Sequence, residues 1–251
     1  MDTRFFRVTT YALLGLCGLT LCAKTPHPLL TEAVFLLFCL LPAILESVKK
    51  EVPLFPLLPR RPLSSLLFLP LLLGVTIGFS CLTALLFPSL KPGAAAFTPM
   101  TVLTSALSPA IGEEMLFRYT CLALLLPYGK RFGVFVSALL FALFHQSFYQ
   151  MPYALAAGIV LALAALYSRS LLLPIFLHFA NNLLSLFIGN RLTTPGILLF
   201  VGLGAAAGVT LYFLSRKKEM VPIPKEPLSF LSLIPLLLYA AYCIFIAALR
   251  L

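Results

Sequence analysis

The sequence predicts an all-α, polytopic bundle of eight to nine transmembrane helices with the N-terminus on the cytoplasmic side. Three observations carry this. Apolar residues make up 61% of the 251 residues and charged residues only 10%, with a mean hydropathy of +1.05; soluble domains carry about 25% charged residues. Apolar stretches of about 20 residues, long enough to cross the hydrocarbon core, recur along the whole chain. Basic residues gather in alternate connections between those stretches. Helices are the natural spanning form, because each must satisfy its own backbone hydrogen bonds inside lipid.

In order, the apolar segments fall at about 7–23, 29–48, 63–87, 100–126, 132–148, 152–168, 171–188, 196–215 and 229–249. The first follows Arg4 and Arg7 and resembles a leader, but its exit, Leu21-Cys-Ala-Lys-Thr-Pro26, lacks a small-x-small cleavage site, so an uncleaved first helix is expected. The second and third are separated by a Pro- and charge-rich connection at 49–62. Turn residues at 88–99 mark an outer loop before the fourth. The fifth and sixth are the shortest and barely span, and counting one of them as re-entrant reduces nine spans to eight. The seventh is followed by an eighth with Gly204 and Gly208 at GxxxG spacing, a helix-packing device. A second charged connection at 216–227 precedes the ninth. With no internal repeat, one membrane domain over 1–251 is expected, with a catalytic core at about 100–188.

The net charge of +10 does not indicate a nucleic-acid partner. Thirteen basic residues sit in one set of alternate connections: Arg4, Arg7, Lys49, Lys50, Arg60, Arg61, Lys130, Arg131, Arg169, Arg216, Lys217, Lys218 and Lys225. Only Lys24, Lys91, Arg191 and Arg250 sit in the other. That asymmetry follows the positive-inside rule and orients nine spans N-in and C-out. The six cysteines all lie in apolar segments without a CxxC pair, so neither a disulfide framework nor a structural zinc site is expected.

Three spans carry polar residues that lipid would not tolerate. The fourth holds Glu113, Glu114 and Arg118, the fifth His145 and Gln146, and the seventh His178, Asn181 and Asn182. An ionisable group at mid-bilayer costs about 2.5–3.5 kcal/mol on insertion scales and marks a functional site by default. Residues four apart share a helix face, so Glu114 can pair with Arg118. Glu113 projects about 100° away and lacks a local counter-charge, which makes it the better candidate for chemistry. His178 and Asn182 share a face; Asn181 is expected to point elsewhere. At 1.5 Å per residue, Glu113, His145 and His178 fall within roughly 10 Å of one another along the membrane normal.

A carboxylate serves as a general base. Histidine orients water or ligates a metal, and an amide donates to a developing oxyanion. This set fits activation of water for attack on a peptide carbonyl. Glu113, His145 and His178 also match the ligand set of a catalytic divalent metal such as zinc, assembled from separate helices because no HExxH is present. Two other readings are compatible with intramembrane Glu and His: a non-catalytic immunity or scaffold protein, and a proton-coupled transporter. The chain shows no inverted repeat with paired broken helices to favour transport. Phe141 and Phe144 are read as packing residues.

At these residues the chain resembles the CPBP family of CAAX prenyl proteases and bacteriocin-processing intramembrane endopeptidases. The pattern EExxxR, FxxxH and HxxxN stands here as Glu113-Glu114-Met-Leu-Phe-Arg118, Phe141-Ala-Leu-Phe-His145 and His178-Phe-Ala-Asn-Asn182. The resemblance covers about 100–188. It implies an intramembrane protease in which Glu113 and His145 activate water, His178 and Asn182 hold the oxyanion, and Glu114 with Arg118 brace the site. It leaves open both metal-assisted and metal-free hydrolysis. It further implies a lipid-bilayer location, a bacterial inner membrane being expected. The implied substrate is a protein or peptide, including one lipidated at its C-terminus.

Overall fold

The computed structural model describes residues 3–22, 27–49, 62–90, 96–188, 192–216 and 233–249. These form nine helical segments without strands among the described residues. The segments are α1 (Thr3–Cys22), α2 (Pro28–Lys49), α3 (Phe68–Leu86), α4 (99–125), α5 (Lys130–Phe144), α6 (Met151–Ser168), α7 (Leu172–Ile188), α8 (Thr194–Arg216) and α9 (Ile234–Ala248). Among the described residues five helices of 18 or more residues are apolar enough to cross a membrane, and α7 and α9 are shorter apolar helices. The chain is an integral membrane protein with an all-α bundle. The basic positions Lys24, Lys50, Arg60, Arg61, Lys91, Arg191, Lys217, Lys218, Lys225 and Arg250, and most of the connections at 49–62 and 216–227, lie outside the described residues.

The motif helix α4 occupies the centre, packed against α1, α2, α5, α6 and α7. It is not a regular α-helix. Thr98 caps its start by accepting from the Thr101 amide, and two π-helical stretches, Leu103–Leu107 and Met115–Leu122, interrupt it. The Thr120 hydroxyl donates to the Met115 carbonyl five residues back, within the second of these stretches. Such widenings are rare and cluster at functional sites. Here they flank the segment carrying Glu113 and Glu114 on either side.

α4 turns into α5 at Gly129, whose φ of 117° excludes ordinary side chains. α5 and α6 form a tight hairpin, and α3 lies between α6 and α8. The α3–α8 contact is a backbone approach: a Cβ on Gly204 would stand 2.9 Å from the Gly74 Cα and 2.9 Å from the Pro70 carbonyl. Gly204 is therefore used within the chain, as close helix packing in lipid demands.

The fifth segment departs from expectation. α5 ends at Phe144, so His145 is not inside a helix but caps it, and Gln146 takes a left-handed φ of 48°. The connection is sunk into the bundle: Gln146 and Tyr149 are buried. Fifteen residues suffice because the chain turns beside the site instead of crossing to the far surface.

Candidate active site

Three helices supply the charged groups. α4 places Glu114 and Arg118 one turn apart, both fully buried, with Arg118 Nη1 3.1 Å from Glu114 Oε1. α7 places His178 beside them: its Nδ1 lies 2.8 Å from the same Glu114 oxygen. A carboxylate accepts, so Nδ1 carries the proton and Nε2 points outward. That Nε2 is 3.9 Å from Glu113 Oε2. The groups thus run Arg118, Glu114, His178, Glu113, from the sealed interior towards open space.

His145 approaches from the end of α5. Its Nδ1 stands 2.9 Å from the Phe141 carbonyl one turn back. A carbonyl can only accept, so Nδ1 donates there and Nε2 is left for the site. Phe141 holds these groups in place. Its ring lies 4.2 Å under the Arg118 guanidinium carbon and makes edge contacts with His145 and His178, at centroid distances of 5.0 and 5.7 Å. Phe117 closes the other side at 5.5 Å. Sequence reasoning treated Phe141 as packing. The FxxxH spacing was the available signal, since it puts the ring on the His145 face of the same helix.

A cavity of about 650 Å³ opens in front of these residues. Glu113, His145, His178 and Asn182 line it; Glu114 and Arg118 do not, being behind the wall. The separation of Glu113 from Glu114 thus agrees with their 100° offset. One expectation is corrected. Asn181 does not point elsewhere but lines the same cavity, because Thr76 on α3 donates to its carbonyl oxygen at 2.8 Å. Asn181 Nδ2 in turn donates to Asn182 Oδ1 at 3.3 Å, which steadies the amide expected at the oxyanion. Tyr149, Gln150 and Tyr153, from the start of α6 and the turn before it, complete the wall and carried no motif signal.

The sequence offers Glu113, His145 and His178 as a possible metal set. Glu113, His145 and His178 share the cavity, but among the described residues no three His, Cys, Asp or Glu side chains gather closely enough to hold an ion. His178 has one ring nitrogen committed to Glu114, and His145 has one committed to a carbonyl. Glu113 Oε2 is buried without a hydrogen-bond partner in the protein.

Fold and site together define a polytopic helical membrane protein with a carboxylate–imidazole centre inside the bundle. Residues 94–184 match the family model for type II CAAX prenyl endopeptidase Rce1-like proteins, a stretch that contains all three motifs. That match supports a CPBP-type intramembrane endopeptidase; proteins of that family are peptide hydrolases that act on protein substrates in membranes. No curated protein and no solved structure matches it.

Proposed function

We propose that the cavity hydrolyses a peptide bond of a membrane-held polypeptide with water activated by Glu113. The observation that carries this is the Glu113 side chain lining the same cavity as two imidazoles and an amide. Water bound between Glu113 and His145 Nε2 gives a proton to the carboxylate as its oxygen bonds to the scissile carbonyl carbon. The carbonyl π pair moves onto oxygen. Asn182 and, in its doubly protonated form, His178 Nε2 present N–H groups to that oxyanion, and the Glu114 carboxylate holds the His178 ring in place through Nδ1. Collapse breaks the C–N bond, and Glu113 returns its proton to the leaving amine. Arg118 offsets the Glu114 charge from behind. A substrate carrying a C-terminal lipid is one form the family implies, and the lower wall, with Leu73 and Ile77, suits an apolar chain.

The test is cleavage of a peptide library by purified protein in lipid. Glu113→Gln and His145→Ala should each lower kcat by at least 100-fold, since general-base contributions run to about 10²–10⁴, while both variants insert and accumulate normally. Full activity in Glu113→Gln would reject the mechanism. The same assay in a chelator reads metal dependence. Because no three ligating side chains meet among the described residues, cleavage should persist, and loss restored by zinc would overturn that expectation.

A further inference from the structure

The cavity is one-sided, and its lining shows which way it faces. On α3 the wall runs from Leu73, short of the middle, to Ala84 near the end of that helix. On α4 it includes Ser105 and Pro109 in the first half and Glu113 at the middle, and on α7 it runs from His178 near the middle to Ile188 at the end. Leu192 and Ile197, at the entrance to α8, form its far rim. All these parts lie towards one face of the bundle, where α3 and α7 end and where α4 and α8 begin.

The opposite face is held together by its own contacts. Arg7 at the start of α1 bonds Glu46 at the end of α2, with Lys49 3.6 Å away. Phe5 packs on Tyr128 and Phe132 at the α4–α5 turn. Tyr167 at the end of α6 donates to Ser64 just before α3. Among the described residues, the Lys and Arg outside Arg118 all belong to the helix ends on this face: Arg4, Arg7, Lys49, Lys130, Arg131, Arg169 and Arg216. Short connections rich in Lys and Arg are retained in the cytoplasm. We infer that the catalytic cavity opens on the extracytoplasmic face, so that the scissile bond is presented from outside. This rests on the cavity being the hydrolytic site. The substrate class is then an exported or outward-anchored polypeptide whose cleaved bond lies in the outer half of the bilayer. A prenylated C-terminus in the cytosol would meet the closed, basic face.

Cysteine labelling tests the orientation without relying on catalysis. Ser185 lines the cavity and is exposed, and Ser47 is exposed on the basic face. In the full chain with its native cysteines replaced, S185C should react with a membrane-impermeant maleimide in right-side-out vesicles. S47C should react only in inside-out vesicles. The reverse pattern overturns the inference. So does failure of S185C to label from either side, since the cavity would then not open to water at that face. If S185C labels from outside while Glu113→Gln still cleaves, the orientation stands and the hydrolytic assignment falls.

Discussion

Arg118 is the largest fully buried side chain among the described residues, and it lies against the Glu114 carboxylate and the Phe141 ring. None of its guanidinium nitrogens has a well-aligned hydrogen bond. A charge so placed depends on Glu114, because an uncompensated buried ion costs several kcal/mol. Glu114→Gln alone should destabilise the protein by about 3–5 kcal/mol, the range for breaking a buried pair. The double variant Glu114→Gln/Arg118→Met should recover much of that, because no charge is then left unpaired. Thermal melting in detergent measures both. Cleavage should stay low in the double variant, since His178 has lost the carboxylate that orients it. Recovery of both stability and cleavage would show that the ion pair has no positioning role.

At the scale of elements, the cavity wall depends on how closely α3 approaches α8. α3 carries Thr76, which fixes Asn181 and through it Asn182. A methyl group at Gly204 meets backbone atoms at 2.9 Å, which cannot rotate away, so the helices must separate. Gly204→Ala should cost about 1–3 kcal/mol, the usual range for overpacking. A shift of α3 should also lower kcat more than it raises KM, because Thr76 then no longer steadies the Asn182 amide at the oxyanion. Steady-state kinetics on the folded protein separates the two. Gly202, by contrast, has no heavy atom within 4 Å of an added Cβ, so Gly202→Ala is the matched control.

Across the whole molecule, two buried carboxylate networks lie towards different faces. The catalytic one faces the cavity. The other ties α1 to α2: Arg7 and Tyr11 both reach Glu46, which is fully buried. Glu46→Ala leaves the Arg7 guanidinium without that acceptor and should cost about 1.5–3 kcal/mol, typical of a hydrogen bond to a charged group. The turnover of the folded fraction should be unchanged, because neither Arg7 nor Glu46 lines the cavity. A fall in kcat at constant folded fraction would mean that the α1–α2 hairpin governs the position of α4, against which it packs.

The helix order, the charge asymmetry and the assignment of Glu114 to Arg118 were all legible from residue type and spacing. Hydrophobic length and i,i+4 geometry are local properties, and lipid leaves a polar group few alternatives. What remained hidden was non-local. The end of α5 at Phe144, with His145 as its cap, depends on a turn that only the surrounding helices stabilise. The π turns shift the phase of α4 beyond what a 3.6-residue period can show. Asn181 joins the site through Thr76, 105 residues earlier in the chain. Phe141 becomes the common support of Arg118, His145 and His178 only once α4, α5 and α7 are packed together. By itself the sequence determined which groups must be kept from lipid. The tertiary structure decided which of them share a cavity and which face it opens on, because those depend on distances between helices that no spacing along one helix encodes.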